Sequence, residues 1–242
     1  MSQTVIVPEL GIIIAVNNHK PTVLTPEFLK HTGIVPTEWE LACTPLCTNN
    51  LAQVTYTNGV NVVAEPSLIM FVEPILYKDL NSIQAPSVAR KYLQTLPNAE
   101  YKTVRIIFKG YVTFDRQQSC NKYLTETLLN SGAWQSIGNE NVRPGLNLSY
   151  SLDSCQLVLS INESRLRTID ETILPIVMFN GNFSYDLTDD TFALRLASMQ
   201  QAIANWQADL TTYKEIVNTK FFGEVAQKTN ERADLFRTGA AA

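Results

Sequence analysis

From Thr191 to Phe222 the apolar residues Phe192, Leu196, Met199, Ile203, Trp206, Leu210, Tyr213 and Val217 follow one another at steps of four and three. That spacing puts them on one stripe of a helix. No Gly or Pro interrupts the stretch, so it predicts a continuous amphipathic helix roughly 48 Å long. A helix longer than the diameter of most domains of this size is expected to offer part of its stripe to a partner. Met199, Trp206, Leu210, Tyr213 and Val217 are the candidate interface residues.

Upstream the period changes from helical to alternating. Ile12 to Val16, bounded by Gly11 and Asn17-Asn18, has the length and β-branched content of a buried strand. Thr25 as N-cap, Pro26 at the first helical position and Gly33 as a left-handed stop predict a short helix. Leu51–Thr57 and Val60–Glu65 flank Asn58-Gly59, the signature of a two-residue hairpin turn with both turn residues at positive φ. That turn sets Thr55 opposite Val62 and Val54 opposite Val63. A turn at Pro66-Ser67 then leads into Leu68–Val72 and completes a three-stranded meander.

A helix from about Pro86 to Leu96 follows, with Val88, Tyr92 and Leu96 on one face and Pro97 ending it. Val104 to Asp115 alternates as a strand, with Gly110 marking a bulge or a close backbone approach. A helix from roughly Cys120 to Ser131 stops at Gly132. The next hairpin has the cleanest alternation in the chain. A turn at Asp153-Ser154 pairs Leu152 with Cys155, Tyr150 with Leu157 and Leu148 with Leu159, so every apolar residue lands on one buried face. Glu163 to Leu174 reads as a charged crossover, and Val177 to Leu187 as a long strand ending at a helix capped by Thr188 or Asp189.

Two of these strands resemble each other. Residues 106–115 align without gaps on 177–186, matching Phe108 with Phe179 and Gly110 with Gly181. Each ends in Asp before a helix and has a tight hairpin upstream. The expected fold class is therefore α+β: a mainly antiparallel sheet built from two possibly duplicated hairpin-strand-helix units, helices on one face, and a long C-terminal amphipathic helix. Residues 1–138 form the expected N-terminal half and 139–223 the C-terminal half, sharing one sheet; 224–242 is expected to be a frayed tail.

Composition narrows the role more than it defines it. The 242 residues can bury a sizeable core, and 45% hydrophobic with 17% charged residues is ordinary for a globular chain. A net charge of −4 argues against a general nucleic-acid or anionic-membrane binder, since both need a concentrated basic surface. The start Met-Ser-Gln-Thr-Val-Ile-Val-Pro lacks the basic and apolar run of a signal peptide. Leu41 to Ala64 is uncharged but rich in Thr, Asn and Gln, so no membrane span is expected. Four cysteines, Cys43, Cys47, Cys120 and Cys155, are too sparse for a disulfide scaffold, and the expected location is cytoplasmic with reduced thiols.

Candidate chemistry is thin. Cys43 and Cys47 with His31, and His19 further upstream, are the weak metal candidates; buried structural cysteines explain the same residues, so no metal is expected. Asp186, Asp189 and Asp190 at the head of the long helix fit capping better than magnesium binding. Arg105, Lys109 and Arg116 read as the solvated side of a strand. The sequence contains no GxxxxGK[ST], GxGxxG or GxSxG, and only two histidines. The Asn-x-Ser triplets at Asn147, Asn162 and Asn182 fall in or at the ends of expected strands.

The expected role is a non-enzymatic binding, adaptor or assembly protein without a cofactor, a homo-oligomer joined through the long helix, with a protein partner possible. Oligomeric holdase chaperones also combine antiparallel sheets with long helices, a likeness of architecture only. The alternative is a small-ligand binder or enzyme with a pocket between the halves, walled by Phe108, Tyr111, Phe179 or Tyr185 where Gly110 and Gly181 leave a hollow.

Overall fold

Nine strands hydrogen-bond into one antiparallel sheet in the computed structural model, which describes residues 4–223 except 138, 140, 141, 169 and 188–190. In chain order the strands are β1 (Ile6–Asn17), β2 (Leu46–Cys47), β3 (Ala52–Thr55), β4 (Asn61–Glu65), β5 (Leu68–Pro74), β6 (Glu100–Thr113), β7 (Gly145–Ser151), β8 (Gln156–Arg167) and β9 (Ile173–Asp186). The helices are α1 (Pro26–His31), α2 (Ala85–Thr95), α3 (Gln117–Lys122), α4 (Phe192–Ala204) and α5 (Trp206–Glu215); α3 and α5 each run on into a wider π turn. Across the sheet the order is β2-β3-β4-β5-β1-β6-β9-β8-β7. The class is α+β, and both halves share this sheet.

Alternation decides which side is core. On β1 the side chains of Leu10, Ile12, Ile14 and Val16 are buried; on β6 those of Val104, Ile106, Phe108 and Val112; on β9 those of Val177, Phe179 and Phe183. The helices pack on this one face: α2 against β1 and β5, α3 against β9, α4 and α5 against β6. Burying some ten large aliphatic and aromatic side chains, at roughly 1.5–3 kcal/mol each, is the main drive for this layer. The sequence-predicted hairpin of β7 and β8 has the expected register, with Tyr150 opposite Leu157 and Leu148 opposite Leu159.

Four expectations are corrected. The first hairpin slips by one residue: Val54 lies opposite Val62 and Thr55 opposite Asn61. The loop contains Thr57, Asn58 and Gly59, closed by Tyr56 and Val60, and only Gly59 takes positive φ, at 93°. The slip places Val54, Tyr56, Val60 and Val62 together in the core. The segment 163–174 is no crossover, because β8 and β9 continue through it as one long hairpin. Strand β1 lies between β5 and β6, whereas β7, β8 and β9 are sequential neighbours, so the two expected units differ in topology. Finally, the terminal helix breaks at Asn205 (φ −81°, ψ 3°), where α4 hands over to α5. Thr191 caps α4 by accepting from the Leu194 N–H at 3.3 Å; the expected caps Thr188 and Asp189 lie outside the described residues, as does the tail 224–242.

One buried ion holds a junction of this layer. Glu73 at the end of β5 is 1% exposed. One carboxylate oxygen accepts from Lys78 Nζ at 2.7 Å, and the other from the backbone N–H groups of Gln84 and Ala85, each at 2.7 Å. Those two amides open α2, where no residue of the preceding turn of helix can accept from them. The buried charge is thereby fully hydrogen-bonded, the condition under which a carboxylate is tolerated in a core.

Candidate functional site

The five candidate interface residues are covered inside their own chain. Met199, Trp206, Leu210, Tyr213 and Val217 are between 0% and 6% exposed, so the stripe spends its apolar surface on the sheet. Among the described residues of the helix, Phe192 and Leu194 in the first turn of α4 stay exposed.

Tyr213 also occupies the hollow expected at the paired glycines. In the β6–β9 ladder, Phe108 faces Gly181, Gly110 faces Phe179, and Lys109 faces Asn180 between them. The two aligned segments therefore pair with each other about their own matched positions. With no side chains at 110 and 181, the backbone is low there, and the Tyr213 ring lies in the depression. A Cβ on Gly110 would overlap the Tyr213 hydroxyl, and one on Gly181 would come 2.6 Å from its ring. The hydroxyl donates to the Phe179 carbonyl oxygen at 2.6 Å, and the ring packs on Phe108 at 5.6 Å between centroids. Gly110 is thus a close approach; its register with β9 runs through unbroken, while against β1 the ladder shifts between Ile6 and Glu9, opposite Gly110. The space between the halves that Phe108, Gly110, Phe179 and Gly181 were expected to wall is filled by protein; Tyr111 projects to the opposite side of the sheet, and Tyr185 lines a different cleft.

That cleft gathers three side chains whose proton affinities are raised, Cys155, Tyr185 and Asp209. It encloses about 410 Å³ between the β7–β8 hairpin and α5, and Cys155, Phe183, Tyr185, Asn205, Asp209 and Thr212 contribute to its wall. Asp209 sits in the first turn of α5 and is 8% exposed. Both its oxygens lie 2.7 Å from the Tyr185 hydroxyl. A phenol has one proton to give, so one carboxylate oxygen gets no donor from it. Burial pushes the Asp209 carboxyl up to about 6, against the opposing pull of the Tyr185 hydrogen bond. Burial, then the Asp209 hydrogen bond and charge, hold the Tyr185 phenol well above its ordinary range. Burial and the same carboxylate raise the Cys155 thiol, which also contacts Tyr185. A thiol so placed is a poor nucleophile.

Asp209 was not singled out from the sequence. Its signal was an acid three residues after Trp206 and four before Tyr213, on the flank of the apolar stripe.

The metal candidates do not gather. Cys43 and Cys47 are exposed free thiols, and among the described residues no three His, Cys, Asp or Glu side chains come together. His19 instead borders a hollow of about 460 Å³ with Asn17, Asn18, Asn98 and Glu100. Its Nε2 is 3.3 Å from the Tyr92 hydroxyl, and burial lowers its pKa, keeping the ring neutral at pH 7. Lys109 pairs with Glu9 at 2.6 Å across adjacent strands, an exposed contact typical of a solvated sheet face.

What fold and site define is an α+β protein with one nine-stranded antiparallel sheet and all its packed helices on one side. No protein-family model matches the chain, and no curated protein matches it. Among the described residues no helix is long and apolar enough to cross a membrane.

Two outcomes test these contacts. Gly181→Ala should destabilise by about 1–3 kcal/mol in urea unfolding, because the new methyl must displace a packed ring, whereas Gly145→Ala, with nothing within 4 Å of the added carbon, should be near neutral. Asp209 has a folded pKa above its unfolded one, so the folded state binds its proton more tightly and loses that advantage as pH rises through about 6. Asp209→Asn, which removes the buried charge and can still accept from Tyr185, should therefore gain melting temperature relative to wild type at pH 7, with the gap closing towards pH 4.

Proposed function

We propose that this is a non-enzymatic binding or assembly protein that self-associates through its sheet. The observation that carries the reading is the uncovered face opposite the helices. There, apolar side chains of adjacent strands meet in register: Val63 faces Met70, Met70 faces Ile13, and Ile107 lies across Gly11 from Val72. Met70, Ile13, Val72 and Ile107 are partly exposed, as are Tyr111 and Met178, two positions past Lys109 and Asn180 along β6 and β9. Arg105, opposite Ile13, and the Glu9–Lys109 pair border these side chains on the same face; exposed apolar side chains rimmed by polar ones are characteristic of interaction sites. The helix stripe is a poor route to a partner because its central residues are already buried; Phe192 of the stripe and Leu194 off it stay exposed. The likeness of residues 106–115 to 177–186, and their pairing about Lys109 and Asn180, supports duplication of the central strand alone. Light scattering across the micromolar range should give a mass of two or more chains; one chain at every concentration overturns self-association.

A second reading, a small-ligand binder, is favoured by the cleft at Asp209. Its wall includes two carboxylates, Asp153 and Asp209, and no lysine or arginine among the described residues, so it suits an organic cation. Thermal shift against organic ammonium and guanidinium salts, with sodium chloride at equal ionic strength as control, should raise the melting temperature of wild type but not of Asp209→Asn. An equal response from both proteins removes this reading.

A further inference from the structure

We infer that β7 is the seam of a twofold homodimer, pairing antiparallel with β7 of a second copy to join two nine-stranded sheets into one. The inference rests on the self-association proposed above and adds to the uncovered face a second surface, the edge strand β7.

β7 is one of the two outer strands of the sheet, and the two edges differ. At the other edge β3 is covered: β2 pairs with its start, Ala42 N–H donates to the Thr55 carbonyl, and Leu41 bridges to Tyr56 just beyond it. β7 has no such cover. The Leu152 N–H donates to the Cys155 carbonyl at 2.9 Å where the hairpin closes. Because hydrogen-bonding direction alternates along an antiparallel strand, Leu146, Leu148 and Tyr150 then bond to β8, and Gly145, Asn147, Ser149 and Ser151 turn their N–H and C=O groups outward. No described residue hydrogen-bonds to these outward groups. Nor does β7 carry the usual protection of an edge: Gly-Leu-Asn-Leu-Ser-Tyr-Ser has no charge and no proline, and its register with β8 is unbroken.

The strand is also complementary to itself. With the twofold axis at Leu148, Leu148 faces its own copy, Leu146 faces Tyr150, Asn147 faces Ser149 and Gly145 faces Ser151. Every outward N–H and C=O of one strand then meets an outward partner on the other. On the helix side the opposed residues are all apolar, and on the bare side all are small or hydrogen-bonding. No like charges oppose one another. The single chain leaves this layer unfinished, because Leu146 and Leu148 are only half-buried and Tyr150 is 37% exposed. An unrelated extended peptide would satisfy the backbone equally well; the matched side chains on both faces favour a second copy.

Ser149→Pro and Leu148→Cys test the seam. The Ser149 N–H points outward, so proline there removes a donor of the seam and none of the β7–β8 ladder. In light scattering the wild type should be a dimer, and Ser149→Pro, with an unchanged circular dichroism spectrum, should dissociate at a roughly tenfold or more higher concentration. In Leu148→Cys the two new thiols should sit on residues about 4.5 Å apart between Cα atoms, close enough for a disulfide. Mild oxidation should therefore give a covalent dimer whose linking peptide, read by mass spectrometry, joins the two substituted positions. An oligomer that persists in Ser149→Pro, together with no such cross-link, overturns the β7 seam while leaving self-association standing; if Ser149→Pro does not fold, the cross-link alone decides. A wild type that is monomeric throughout overturns both.

Discussion

The Tyr213 ring pressed into the sheet at Gly110 and Gly181 is the contact on which the rest of the architecture depends. It sits where β6 meets β9, the one place where the strands of the two halves join. By crossing that seam, α5 covers both sides with one aromatic group and anchors itself through the Phe179 carbonyl. The neighbouring aromatics continue the same layer: Phe179 packs on Phe221 and Phe222, Phe222 stacks on Tyr123, and the Tyr123 hydroxyl donates to the Phe221 carbonyl. The end of the helix and the α3 segment are thereby fixed to each other as well as to the sheet. Close packing leaves little tolerance at such a junction, since a single added carbon has no space to enter.

One-sided coverage follows from that anchoring. The helices spend their apolar surface on one face of a sheet nine strands wide, and nothing in the described chain is left to cover the other. The bare face keeps apolar side chains on β1, β5 and β6, while Asn180, Asn182 and Ser184 of β9 and Ser160 of β8 are polar. The two edges are finished differently, one by a short bridging strand and a turn, the other not at all. An unfinished edge next to half-buried leucines is a directional surface, because main-chain hydrogen bonds fix the orientation of whatever adds to it.

Charge within the fold is handled in two ways. Glu73 is buried but receives three donors, two of them amides at the start of α2, and so serves as an internal cap. Asp209 is buried with a single phenolic donor, and its proton affinity rises accordingly. The difference is one of donor number at similar burial, which makes Glu73 structural and leaves Asp209 with unspent hydrogen-bonding capacity facing a cleft.

The sequence by itself determined the elements whose signal is local: the α1 cap at Thr25 and stop at Gly33, the β7–β8 register set by strict alternation, and the helical stripe from Met199 to Val217. It also marked Gly110 and Gly181 as places where something approaches closely. Only the tertiary structure decided what approaches. Alternation names a buried face without naming its cover, so Tyr213 was legible as an apolar residue and not as the filler of that hollow. The same limit explains the slipped register at Gly59, where two-residue and three-residue turns share one sequence signature and the shared burial of Val54, Tyr56 and Val62 makes the choice. Asp209 acquired its raised proton affinity from burial in the tertiary fold, against the pull of its hydrogen bond with Tyr185, 24 residues away, and no spacing rule along the chain reports burial or a contact made through the core.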